Sequence, residues 1–321
     1  KNAHELGGGF GMEGSHMYRI NGKYYITCPA GGTGGWQICL RSDNIYGPYE
    51  HKLIMNDWSS YPKNGLHQGG MVQLKNGDWW FMIMQDRGPI GRVPCLVPVK
   101  WIDGWPMLGD EGKDLITYPK PATGKKSKIK SPATTDEFNA SQLGLQWQWN
   151  HNPDNSRWSL KERKGYMRLY ASQASTLKDA RNTLTQRVQG PSCEGSVEME
   201  VTGLKDGNIA GFGIFEFPYA YVAIRQESGR RKIVMCNDGK NIEVIDNFTG
   251  NKLWVRARVM DVNFRATFYY SLDGKTFIPI GNDLNMGLGL VWTANRFALF
   301  NFTRDKAGED GYADFNWFRF T

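Results

Sequence analysis

"HMYRINGKYYITC", residues 16–28, and "GGMVQLKNGDWWFMI", residues 69–83, are the two stretches on which the fold turns. Each sets a run of aromatic, β-branched and other apolar residues on either side of an Asn-Gly pair. That pair accepts positive φ at both turn positions, so the spacing predicts two-residue β-hairpins at Asn21-Gly22 and Asn76-Gly77. The turns lie 55 residues apart. Hairpins recurring at that period, separated by Gly-rich loops, fit successive blades of a β-propeller.

Beyond residue 135 the character changes. Short runs such as "YMRLYA" (166–171), "EGSVEMEV" (194–201), "YAYVAIR" (219–225), "KLWVRARVM" (252–260) and "ADFNWFRF" (313–320) follow one another at near-regular spacing. Asp238-Gly239 and Asp273-Gly274 mark hairpins among them, a pattern that predicts an antiparallel β-sandwich. Helix signals are nearly absent, so the fold class is all-β: propeller blades followed by an antiparallel β-sandwich. The expected boundaries are propeller blades over 1–112, a linker rich in Lys, Pro, Thr and Gly over 113–135, and the sandwich over 136–321.

Composition narrows the function classes. The chain has 12 Trp, 14 Tyr and 16 Phe, which suit sheet cores and also suit sugar binding, since a pyranose packs on an aromatic plane. The net charge of +7 suggests nucleic acid until its source is found. Four lysines sit in "GKKSKIKS" (124–131), which reads as a solvated linker, and no zinc spacing, helix-turn-helix or RNA-binding aromatic-basic motif accompanies it. No nucleic-acid partner is expected. No apolar run reaches the ~18 residues of a membrane-spanning helix, so no membrane partner is expected either. The five cysteines show no CxxC spacing and are odd in number, so buried free thiols are the default and no disulfide is assigned. "GGGFG" (7–11) is not a phosphate loop, because no helix pattern follows it.

Four motifs, "EGSHMYRINGKYYI" (13–26), "AGGTGGWQICLRSDNIYGPYE" (30–50), "LHQGG" (66–70) and "GRVPCLVPVKWIDGWPML" (91–108), together resemble glycoside hydrolase family 43. That family comprises five-bladed propeller enzymes acting on xylose- and arabinose-containing polysaccharides. "LGLQWQWNHNPDNSRWSLKERKGYMRLYA" (143–171) and "ARNTLTQRVQG" (180–190) resemble the concanavalin-like sandwich appended to its β-xylosidase and arabinofuranosidase branch. The resemblance implies an inverting, exo-acting hydrolase that releases terminal β-xylosyl or α-L-arabinofuranosyl units. Hemicellulose-derived oligosaccharides would be its partners, and a periplasmic or extracellular location follows from that substrate class. A non-catalytic carbohydrate-binding module is the alternative.

The resemblance also carries roles onto residues. Glu13 would be the general acid, a carboxyl kept protonated until the glycosidic oxygen leaves; a glutamate before a hairpin is otherwise an ordinary strand-entrance residue. His67 would lie on the propeller axis near a calcium ion of structural or electrostatic role. Calcium prefers oxygen ligands, so a single imidazole implies a mostly hydrated ion, and a hydrogen-bonded core histidine is the alternative. Arg92 would hold the sugar, since a guanidinium fork suits vicinal hydroxyls. Thr33 and Trp36 are candidates to line the pocket or plain turn and core residues. Trp147, Trp149 and His151 either reach across to the pocket rim or pack in the sandwich. No organic cofactor is expected.

Inversion requires a base carboxylate about 6.5–9.5 Å from the acid, with a water between. The family places that base, and a third carboxylate that tunes the acid, on aspartates upstream of the Glu-Gly motif. Only twelve residues precede Glu13 here and none is Asp. Asp43, Asp57, Asp78, Asp86 and Asp103 read as loop or turn residues that match neither. The expectation is that the base lies on an N-terminal propeller segment outside this sequence, and that the 321 residues alone are inactive.

Overall fold

The computed structural model describes residues 3–6, 8–9, 11–32, 34–57, 65–115, 117–124, 128, 130–260, 263–287 and 293–321, with the side chains of 3 and 4 left out. The chain divides into two compact units, one of Lys1–Arg87 with Arg92–Ile129, the other of Gly88–Gly91 with Lys130–Thr321.

The first unit holds two four-stranded antiparallel meanders, each the shape of a propeller blade. The first comprises β1 (His16–Ile20), β2 (Lys23–Ala30), β3 (Trp36–Ser42) and β4 (Glu50–Met55). The second comprises β5 (Leu66–Gln73), β6 (Trp79–Asp86), β7 (Arg92–Ile102) and β8 (Trp105–Leu108).

The two Asn-Gly turns differ. Asn21 and Gly22 have φ of 50° and 83°, and Ile20 pairs directly with Lys23, the two-residue hairpin expected. The second turn is longer than the two-residue reading. Leu74 and Asp78 close it (N–H to O 2.8 Å), Gly77 N–H returns to Leu74 O at 3.0 Å, and only Gly77 has positive φ. This is a three-residue loop ending in a left-handed glycine, with Asn76 Oδ1 accepting from Asp78 N–H.

Between the blades, Tyr25, Cys39, Ile54 and Met55 pack against Leu66, Met71, Phe81, Ile83, Val97 and Val99. Phe81 has no exposed surface, and truncating such a side chain to Ala costs about 3–5 kcal/mol. Polar ties cross the same seam: Met71 N–H donates to Tyr18 Oη at 2.7 Å and Tyr25 Oη donates to Gly104 O at 3.0 Å. Residues past β8 stay with this unit, because Asp114 N–H donates to Asp57 Oδ2 and the Tyr118 ring packs on the blade core.

In the second unit one sheet runs Trp158–Ser159, Met167–Tyr170, Tyr312–Phe320, Ser192–Glu200, Lys252–Met260, Arg265–Ser271 and Ile278–Pro279, with Leu284–Asn285 off that path. The other runs Lys240–Ile245, Arg230–Asn237, Ala220–Glu227, Asn208–Phe215, Arg296–Thr303, Leu184–Arg187 and Gln148–Trp149, with Ser172–Gln173 beside Arg296–Thr303. Between the sheets, Phe212 and Phe297 stack with centroids 5.8 Å apart and Phe318 leans on both. All of Asn208–Phe215 is buried, as a strand covered on both faces must be, and its side chains are accordingly mostly apolar.

Candidate active site

The site grows from a break in β5. His67 pairs with Met84 and Gly69 with Ile83, so Gln68 is the extra residue of a β-bulge, and its φ of +60° is left-handed. Gly69 makes the bulge possible, since a Cβ there would lie 1.8 Å from Met82 O. Gln68 N–H donates to Oε1 of the fully buried Gln37 at 2.8 Å.

His67 is buried beneath the bulge, with Nδ1 3.2 Å from Gly65 O. A carbonyl only accepts, so Nδ1 carries the proton. Burial pushes the imidazole below its ordinary range and the Arg92 charge adds to that; the Gly65 carbonyl, Asp86 and Glu13 act in the opposite sense. In the neutral ring the Nε2 lone pair then faces Asp86 Oδ2 at 3.7 Å. Asp86 is 1 % exposed and Oδ2 has no hydrogen-bond partner among the described residues.

Asp86 Oδ1 accepts from Arg92 Nε at 3.3 Å, and Gln68 Oε1 accepts from Arg92 Nη1 at 3.3 Å. Both come from register. Asp86 ends β6 directly opposite Arg92 at the start of β7, across a short Gly- and Pro-containing turn. Asp86 is therefore a buried strand residue, where the sequence reads as turn, and it lies beside both His67 and Arg92. The apolar run "WWFMIM" stops two residues short of it, so the sequence carries no signal for its place in the strand.

Glu13 is exposed, between the isolated bridge Met12–Ala30 and β1. The next residue, Gly14, abuts Gln68: a Cβ at Gly14 would lie 3.1 Å from Gln68 Nε2. His67 and Arg92 thus meet Asp86, Arg92 also meets Gln68, and Glu13 is linked to this group through its neighbour Gly14 and as a minor charge felt by His67.

Trp36 packs with Cys28, Ala30 and Ile38, in the cluster that also takes in Met12, its ring against the Gly31 backbone. The next residue, Gln37, meets Gln68. Thr33 lies outside the described residues. In the sandwich, Trp147 is buried against Phe138 and Phe318 and donates Nε1–H to Asp136 at 2.8 Å. Trp149 packs on Trp158, and His151 Nε2 donates to Lys178 O at 2.8 Å.

Calcium can be tested against this donor set. Asp86 Oδ2 and His67 Nε2 lie 3.7 Å apart, and among the described residues no group of three or more His, Cys, Asp or Glu could hold a metal. A two-donor set of this kind leaves most of a calcium ion's coordination to water or to other ligands.

With this geometry in place, comparison with known proteins is informative. Residues 1–106 match the model of glycosyl hydrolases family 43, and residues 135–321 match that of the beta xylosidase C-terminal concanavalin A-like domain. The chain belongs to glycoside hydrolase family 43, in the form that carries this C-terminal domain. It is 33% identical to a beta-xylosidase of Formosa agariphila over 97% of its own length and 60% of that protein's. It is 35% identical to a non-reducing end alpha-L-arabinofuranosidase of Bacteroides ovatus over 50% of its length and 33% of that protein's. A solved structure, a bifunctional GH43-CE protein of Bacteroides eggerthii, superposes with a TM-score of 0.87 at 37% identity, over all of this chain and 42% of that one. The chain therefore spans less than two thirds of these relatives.

Proposed function

We propose that these residues are the acid-bearing part of an inverting, exo-acting glycoside hydrolase that releases terminal β-xylosyl or α-L-arabinofuranosyl units from hemicellulose oligosaccharides. The meeting of Arg92 and His67 at Asp86, with the Glu13-Gly14 backbone against Gln68, supports this reading above all. Family membership and the names of the relatives supply the sugar class.

In the proposed reaction Glu13 gives its proton to the glycosidic oxygen as the bond to the anomeric carbon breaks. Water attacks that carbon from the opposite face and loses its proton to a base carboxylate. Arg92 holds the sugar hydroxyls, and burial keeps His67 neutral beside it. Calcium would be held by His67 and Asp86 with water, where it supplies positive charge near the sugar. A periplasmic or extracellular location suits a polymer-derived substrate.

Proton NMR of full-length protein with 4-nitrophenyl β-xyloside and α-L-arabinofuranoside tests the proposal. The first sugar released carries the opposite anomeric configuration to the substrate. First release with the same configuration contradicts inversion, and no cleavage of either glycoside contradicts the sugar class.

A further inference from the structure

This inference rests on the proposed roles of Glu13 and Arg92 and deepens them. Gln68 is a non-glycine residue at φ +60°, a sparsely populated conformation that persists only where the surroundings over-determine it. Three contacts do so here. Its backbone N–H is held by the buried Gln37 amide at 2.8 Å. Its side-chain oxygen accepts from Arg92 Nη1 at 3.3 Å. Its side-chain nitrogen lies over Gly14, where even a methyl group would be crowded.

The orientation of that amide follows from chemistry. A guanidinium has donors only, so the atom facing Arg92 is the oxygen and the NH₂ faces the Glu13-Gly14 side. One side chain therefore touches the partner of the sugar and the backbone next to the acid. The bulge aims it there, because a regular β5 would turn the same residue to the other side of the sheet.

We propose that Gln68 is a positioning residue that sets the spacing between the Glu13 turn and the Arg92 guanidinium, and so the geometry in which the terminal sugar meets its acid. It acts through Arg92 and Gly14 and needs no contact with the sugar itself. Nothing about a polar residue after a histidine demands this; the left-handed backbone and the two-ended contact do.

The test uses full-length protein. Gln68→Gly keeps the backbone N–H for Gln37 and removes both the side chain and the strain, so the fold is retained. The expected result is a loss of about 10–100-fold in kcat/KM on the 4-nitrophenyl glycosides, the scale of a misplaced binding group. KM carries the larger share, and Gln68→Glu, which keeps an acceptor for Arg92, restores most of it. A crystal structure of Gln68→Gly reads the positioning directly and shows the Arg92 guanidinium displaced. Arg92 in its original place in that crystal, or an unchanged KM, overturns the proposal. If the unaltered protein cleaves neither glycoside, the proposed reaction fails, and the crystal comparison still decides the role of Gln68.

Discussion

Asp86 and Arg92 face each other as the end residues of the β6–β7 pairing, with Arg92 Nε donating to Asp86 Oδ1 at 3.3 Å. The carboxylate is buried, whereas about a third of the arginine side chain is exposed (34 %). A rigid hairpin thus anchors one side of the guanidinium, and Gln68 holds a second point. Lysine can reproduce the charge but not this planar fork.

Arg92→Lys is expected to lower kcat/KM by about 10–100-fold, the value of one or two charge-assisted hydrogen bonds. Steady-state kinetics with both 4-nitrophenyl glycosides checks this. A lysine variant with unchanged kcat/KM would show that bidentate geometry at this position is irrelevant.

The buried Glu216 gives a pH-dependent prediction for the sandwich. Burial raises its carboxyl above the ordinary range, against the lowering effects of the Thr293 hydroxyl, Arg296 and the Phe217 N–H. A raised folded-state pKa means the group's stabilising contribution is full below the unfolded value of about 4.3 and is lost as pH rises through the folded value. Glu216→Gln should therefore look more favourable at pH 7.5 than at pH 4. The change in Tm relative to wild type should be more positive at pH 7.5 than at pH 4. A difference of equal size at both pH values would refute the assignment.

Thiol chemistry should be nearly silent in the native state. All five cysteines are free; Cys28, Cys39, Cys193 and Cys236 are buried and only Cys95 is partly accessible. Burial pushes the Cys28 and Cys193 thiols up to about 11 and Cys39 up to about 12, so few thiolates form at neutral pH. Titration with a chromogenic disulfide should count at most one thiol in native protein and five in denaturant. Two or more rapidly reacting native thiols would contradict this burial.

What the sequence reveals follows from how local each signal is. The Asn21-Gly22 hairpin and the sandwich strands were legible, because turn chemistry and alternation act between near neighbours. The Asn76-Gly77 turn was misread by one residue, since Asn-Gly serves both two-residue loops and the left-handed end of a longer one. Asp86 was hidden by its neighbours: the Gly- and Pro-bearing stretch after it suggests a turn, and only pairing with β7 shows that the strand reaches it. Gln68 carries no local mark at all, because which residue of "LHQGG" bulges is decided by contact with Met82 and Gln37.

Varying the leaving group in the full-length Glu13→Gln protein asks whether Glu13 is the general acid. Xylobiose needs its leaving oxygen protonated, whereas a 2,4-dinitrophenyl glycoside does not. Glu13→Gln should lose about 10²–10⁴-fold on xylobiose, the usual contribution of general acid catalysis, with little loss on the dinitrophenyl substrate. Equal losses on both, or none on either, would contradict that role.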